Sequence, residues 1–382
     1  MFSPGSSDVA LPMMFALWFC WGIWPSARKQ GGSDNVNFGL TYIFSQILVS
    51  LLLCFTLGMV NPADVRHFDE ELFPQMLWKD LSEKFAAVLV AVLAGVLLCS
   101  GDFVMAKAID VLGLAVACPI GFGLALTFGT GLSYAIEPKA DPRLLFPGLG
   151  ACLLGILCDA ASHAQSPKQS AGSSQDDANA SKAKSLGKTS AATADEVKVV
   201  VAQTDQNGHD RFVFLLPIAG GLLCGSMGPI NTAAATAGQL HPFSQFFSFM
   251  MGQLVAIFPL VSAFHWISLG SEGRRSRSFW CIPCTLWSSY LGACKQRRKA
   301  MLWDAFAGTC VGTGYFLFMV GTPVVSKAVG FIFGSSSLLL SVLMGVLAFK
   351  ELSGASGRQK ALCGCCVAFL VAALALMCVA SV

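Results

Sequence analysis

The chain has 382 residues, of which 54% are hydrophobic and only 12% charged, and its mean hydropathy is +0.64. Soluble domains carry about 25% charged residues, so this composition excludes a soluble globular protein and points to a polytopic membrane protein. The net charge of +3 is small, and where the cations fall matters more than their sum.

Mostly apolar windows long enough to cross a hydrocarbon core recur ten times. They lie near residues 9–26, 38–60, 85–107, 112–136, 144–163, 211–235, 243–269, 302–324, 328–349 and 360–381. The first, from Val9 to Trp24, has no basic residue before it and no small-residue cleavage pattern, so it reads as a membrane helix rather than a removable signal. Most of the fifteen Cys fall inside apolar runs, where Cys behaves as a small hydrophobe rather than half of a disulfide.

The third and fourth spans, from Gly95 to Glu137, carry Asp102, Lys107 and Asp110. A charged side chain at the centre of a membrane helix costs about 3 kcal/mol on insertion scales, so it faces a cavity or a partner. Lys107 and Asp110 read as helix-end markers that snorkel to the headgroups. Asp102 lies deeper and is the candidate for proton coupling or a hydrogen bond to substrate.

Residues 164–210 are rich in Ser, Ala, Gln, Asp and Lys, a composition that cannot bury enough apolar surface to order itself. This linker divides a first unit, 1–163, from a second, 211–382, with five spans each. The two units echo one another. Gly95-x5-Gly101-Asp102-Phe103 matches Gly308-x5-Gly314-Tyr315-Phe316, and Cys20-x4-Pro25 matches Cys224-x4-Pro229. Glu137 precedes Gly150 by the same interval as Glu351 precedes Gly364. An odd number of spans per unit turns the second unit upside down, the architecture of many secondary transporters, with the substrate site at the midplane. The expected fold is therefore an all-α membrane protein of ten transmembrane helices, arranged as two inverted five-helix repeats.

Of the 25 Lys and Arg, 19 fall after odd-numbered spans and 6 after even-numbered ones. The positive-inside rule then places both termini outside. The two largest contributors are long connections, however, and without them the count is 6 against 6.

Pro25 and Pro229 sit late in apolar segments, where each frees a carbonyl that other groups must satisfy. Two broken helices related by the repeat would line one cavity. Trp24, next to Pro25, offers a ring to stack on a planar substrate, as does Trp21. Asn231, just past Pro229, offers a donor and an acceptor without charge, suited to a polar heterocycle. Glu137 and Glu351 end the fourth and ninth spans and read as structural charges. Lys327 and Asp304 read as helix-end charges.

Three other patterns carry little weight. Gly187-Lys188-Thr189 resembles the end of a phosphate loop, but position 182 is Lys rather than Gly. Cys281 and Cys284 lack a second pair, and the five histidines form no ligand cluster, so no metal and no cofactor are expected. The basic run with Trp280 and Trp287 fits a helix lying on anionic lipid, not nucleic acid. No paired nucleophile and base appears, so an enzyme is not expected.

Trp24-Pro25, Leu97 to Asp102, Gly113-Leu114, Leu145 to Gly148, and Pro229 to Asn231 with the Ala-rich run after it together resemble the plant ureide permeases, ten-helix members of the drug/metabolite transporter superfamily. That resemblance implies uptake of oxo-derivatives of nitrogen heterocycles, such as allantoin and uracil, driven by protons. The departures are the incomplete phosphate-loop-like motif and a long, basic seventh connection. The resulting expectation is a plasma-membrane symporter whose partners are the bilayer, a small heterocycle and protons. Trp24, Pro25, Asp102, Pro229 and Asn231 would form its cavity. A sugar carrier of the same superfamily and a non-transporting receptor or scaffold are the alternatives.

Overall fold

The computed structural model of the protein describes residues 4–59, 72–112, 114–164, 215–268, 282–347 and 355–380. The linker beyond Ala164, Glu351, the Gly187 motif, Cys281 and the side chain of Pro25 lie outside the described residues. Every described element is a helix. In chain order these are α1 (Ser7–Gly31), α2 (Asn35–Thr56), α3 (Phe73–Glu83), α4 (Phe85–Leu112), α5 (Leu114–Ile136), α6 (Pro142–Ala164) and α7 (Leu215–Thr236). They continue with α8 (Pro242–Ser268), α9 (Ile282–Gln296), α10 (Arg298–Val325), α11 (Lys327–Ser336), α12 (Leu338–Leu347) and α13 (Gly357–Ala380).

Seven of them, α1, α2, α4, α6, α8, α10 and α13, contain segments long and apolar enough to cross a membrane. The chain is thus a multi-pass membrane protein whose described elements are all helices. The expected span at 211–235 forms α7, which falls outside this set. Its Gly, Ser, Asn and Thr residues lower its hydropathy, and one face packs against α4 and α5 while Leu215, Ile218 and Leu222 are exposed on the other. The expected span at 328–349 is two ten-residue helices, α11 and α12, broken at Ser337. Of the short helices, α3 is not anticipated by the sequence, whereas α9 carries Trp287 and Lys295 of the basic run read as a helix lying on lipid. The eleven-residue α3 and the fifteen-residue α9 are too short to span.

Local chemistry sets the turns. Gly32 closes α1 in the left-handed region, φ 62°, and its N–H bonds the Arg28 carbonyl. Asp34 then caps α2, accepting from the Asn37 N–H at 3.0 Å. On α3, Asp80 is fully buried, ion-pairs with Lys84 at 3.0 Å and accepts from the His241 N–H at 3.3 Å. Lys84 Nζ also donates to the Gln239 carbonyl at 2.6 Å, so α3 is tied to the turn between α7 and α8. Asp80→Ala strands these donors and is expected to cost about 1–3 kcal/mol of stability, seen as a lower melting temperature by intrinsic fluorescence in detergent.

The core is set by close helix approaches. α4 runs along α7 and α8, and α10 runs along α1 and α2. A Cβ on Gly95 of α4 would stand 1.9 Å from the Phe249 carbonyl oxygen of α8, and one on Gly308 of α10 would stand 2.3 Å from the Tyr42 oxygen of α2. One position further along the matched pattern, a Cβ on Gly101 would meet Cys224 Sγ of α7 at 2.6 Å, and one on Gly314 would meet Trp21 of α1 at 2.4 Å. Each matched glycine therefore admits a helix from the other half of the chain.

Candidate functional site

Six helices, α1, α2, α4, α5, α7 and α10, converge with α11 on an internal cavity of about 110 Å3. Six aromatic rings face it: Trp21 and Trp24 from α1, Tyr42 from α2, Phe122 from α5, Tyr315 from α10 and Phe331 from α11. The polar groups are few, and among the described residues Asp102 of α4 supplies the only carboxylate in the lining. A small set of polar groups in an apolar, aromatic cleft is the usual build of a small-molecule site.

Asp102 is half-buried, and the Cys224 thiol donates to its Oδ1 at 3.7 Å. A second, smaller cavity of about 40 Å3 shares Trp24, Tyr42, Phe122 and Asp102 with the first and runs on to Arg28, Phe38 and Asn35. There the Arg28 guanidinium lies 4.0 Å over the Phe38 ring, which stacks on Tyr42 at 5.1 Å. Asn35 also borders an open cleft of about 510 Å3 with Ser33, Asp34 and His265. The cavities thus form a series from the centre of the bundle to the α1–α2 turn, with Asp102 at the junction of the two inner ones.

The sequence-derived residues are placed unevenly. Trp24 and Asp102 line both inner cavities. Trp24 sits 6.0 Å from the Tyr42 ring. Pro25 lies in α1 immediately after Trp24. Pro229 is buried within α7, where its missing N–H leaves the Gly225 carbonyl without a helical donor. α5 comes close at that point, since a Cβ on Gly129 would stand 3.0 Å from that carbonyl oxygen. Asn231 is fully buried one turn beyond the cavity-lining Met227 and lines neither cavity. Gln245 Nε2 of α8 donates to its backbone oxygen at 2.6 Å and its Oδ1 at 3.2 Å.

Among the charges, Glu137 is buried and pairs with Lys139 at 2.7 Å. Lys107 stays near the end of α4, 5.6 Å from the Phe264 ring. Asp304 and Lys327, expected at solvated helix ends, are instead 0% and 1% exposed. Asp304 accepts from Ser33 Oγ at 2.5 Å, which ties α10 to the α1–α2 turn. Burial follows because each sits where its helix meets others, not where it meets the headgroups.

Sequence reasoning missed Tyr42, Phe122, Met227 and Phe331, which share the cavity with the expected residues. The available signal was helical spacing: Leu98 lies four before Asp102, Met227 three after Cys224, and Val311 four before Tyr315, and all six line the cavity. Tyr315, which matches Asp102 in the glycine pattern of the sequence, lines the same cavity. Its ring packs edge-on against Trp21 at 4.9 Å.

Comparison with known proteins bears out the resemblance read from the sequence. A family model described as "Ureide permease" matches residues 39–213, somewhat under half of the chain. Among curated proteins, the chain is similar to ureide permease 4 of Arabidopsis thaliana, at 27% identity over 43% of this chain and 40% of that protein. It is also similar to the probable ureide permease A3 of Vigna unguiculata, at 28% identity over 40% of each chain. The chain thus spans about two fifths of the length of the relatives it matches. A solved structure described only as the crystal structure of a protein covers 97% of this chain with a TM-score of 0.54 at 12% identity, a likeness of fold alone.

Proposed function

We propose that this chain is a secondary transporter of small, uncharged nitrogen heterocycles, of the ureide and oxo-pyrimidine type exemplified by allantoin and uracil, coupled to protons at Asp102. The observation that carries the reading is the position of Asp102: a carboxylate deep in a membrane helix, at the junction of two aromatic-walled cavities that lead to one end of the bundle. Ionisable groups held at that depth mark ion and substrate pathways. The similarity to ureide permeases supports transport over catalysis, and it supports this substrate class over sugars.

In this reading ten membrane-crossing segments form two inverted five-helix repeats, 1–163 and 211–382, joined by the 164–210 linker. The segments are α1, α2, α4, α5 and α6, then α7, α8, α10, the α11–α12 pair and α13. The reciprocal glycine contacts support it: Gly95 admits α8 as Gly308 admits α2, and Gly101 admits α7 as Gly314 admits α1. Inverted repeats put the substrate between them near the midplane, where Asp102 and its counterpart Tyr315 line one cavity. Trp24 would stack on the planar ring. α1 and α7 run unbroken through Pro25 and Pro229, contrary to the broken helices expected from the sequence. Each proline would therefore contribute a freed carbonyl rather than a break, and Asn231 would reach the amide-like edge of the substrate when α7 shifts by part of a turn. The plasma membrane is the proposed location.

The test is uptake of labelled allantoin and uracil by proteoliposomes with and without an imposed proton gradient. Saturable, gradient-stimulated uptake of at least one is expected, with no competition from hexoses. Uptake of neither ends the substrate claim, and displacement by hexoses moves the protein to a sugar carrier. Trp24→Ala is expected to raise the half-saturating concentration about tenfold, as loss of one stacking platform does. Shortening the α8–α9 connection is expected to leave uptake intact; if function is lost with uptake unchanged, the protein is a scaffold.

A further inference from the structure

Lys327 is the first residue of α11 and follows Ser326, which caps the helix at φ 87°. Its side chain is 1% exposed, and its Nζ has no hydrogen-bond partner among the described residues. The Phe318 ring lies 5.3 Å from Nζ. Two charges act on it: Glu137 attracts it and Lys139 repels it. Glu137 is already held by Lys139 at 2.7 Å. A cation at a helix N-terminus also opposes the helix dipole. Burial, dipole and lack of a hydrogen bond all act against this ammonium.

Its place in the bundle gives that imbalance a consequence. Lys327 lies one turn before Phe331, whose ring forms the cavity wall. On α5, Gly129 packs against that ring, and Ser133, one turn further on, lies near Gly228, which also contacts it. Thr130 and Ser133 are fully buried, and their hydroxyls have no partner among the described residues. Asp304 marks the α1–α2 end of α10, and Lys327 is 23 residues further along the chain, about 34 Å at helical rise. Lys327 and Glu137 therefore sit at the end opposite the open series of cavities, packed shut, with orphaned polar groups between them and the cavity.

We propose that Lys327 is a positioning residue of the transport cycle: burying its ammonium makes closure of this end costly and so biases the chain towards opening there. The inference rests on the alternating-access reading of the fold. When the end opens, the amine regains water, so the open form gains what the closed form lacks. A group that interacts differently with two states shifts the population between them. Glu137 tempers the bias by supplying a nearby negative charge to the closed form.

Hydrogen–deuterium exchange on the full chain in lipid nanodiscs, without substrate, tests this directly. The peptides to follow cover 130–139 and 322–331. Replacing a poorly compensated buried ion by an apolar side chain of similar size often stabilises the packed form. Lys327→Met is therefore expected to slow exchange in both peptides by about fivefold or more, while Lys327→Arg keeps the native rate. Glu137→Gln is expected to speed exchange, and adding Lys327→Met is expected to remove that effect. Faster exchange in Lys327→Met would mean that the amine latches the end shut, and unchanged exchange would mean that it has no bearing on opening; either overturns the proposal. Because no substrate is present, the result stands apart from the uptake assay. Failed uptake with slowed exchange would sink the cargo assignment and leave Lys327's role intact.

Discussion

Asp102→Asn is expected to abolish accumulation driven by a proton gradient while leaving substrate exchange at equal pH intact. Asn has the shape of Asp and keeps an oxygen to accept from the Cys224 thiol, which lies at 3.7 Å. The helix contacts around it, Gly101 against Cys224 above all, do not involve the carboxylate. What the substitution removes is the ability to take up and release a proton. The other ionisable side chains among the described residues around the inner cavities are Tyr42, Tyr315, Cys99, Cys224 and Arg28. Tyr and Cys ordinarily stay protonated, and Arg charged, across the physiological pH range. Asp102 is thus the group in these walls suited to cycle a proton. Gradient-driven uptake should fall to the level of simple equilibration, and counterflow of labelled substrate should persist. Unchanged gradient-driven uptake would remove Asp102 from the coupling mechanism. Loss of counterflow as well would make it a substrate ligand instead.

The second large effect is on assembly. Gly95→Ala and Gly308→Ala are each expected to destabilise the protein by about 1–3 kcal/mol, towards the upper end of that range. In each case the new methyl meets a backbone carbonyl oxygen, at 1.9 Å from Phe249 and 2.3 Å from Tyr42. A carbonyl cannot rotate away as a side chain can, so the helices must separate. Gly252→Ala, whose Cβ would stand 2.0 Å from the Val92 oxygen, should behave alike and combine non-additively with Gly95→Ala, because both widen the α4–α8 crossing. The controls are Gly131, Gly150 and Gly364, where a Cβ meets nothing within 4 Å. Alanine there should be neutral or stabilising, since glycine costs helix stability. Thermal unfolding in detergent reads all of these. Matching losses at Gly95 and Gly308 support the repeat, whereas loss at one site only would argue that the sequence match between them is accidental.

Much of this protein could be read from its sequence for a specific reason. In lipid, every backbone polar group must be satisfied within the segment, so long apolar runs become helices whatever they later touch. The helical class, the membrane and most helix positions follow from that rule, and so does the depth of Asp102 along α4. The same rule fails for helices that are shielded by protein. α7 could keep Asn231 and four glycines because α4 and α5 pack along it, and the α11–α12 break at Ser337 follows a Gly-Ser run that hydropathy averages away.

Partnerships were beyond the sequence. Trp24 and Asp102 are 78 positions apart in the chain, and only the convergence of α1, α2, α4 and α10 on one cavity brings them together with Tyr42 and Tyr315. Asn231 was chosen for its chemistry, yet its place is set by Gln245 of α8. Lys327 and Asp304 show the limit most clearly. Charge at a helix end predicts exposure when the end meets water, but the packing of neighbouring helices decides whether it does. The sequence by itself determined the helical, multi-pass membrane class and where Asp102 falls along α4, because those depend on local transfer free energies. The tertiary structure decided which residues share a cavity and which charges are cut off from water, because those depend on contacts between helices that are far apart in the chain.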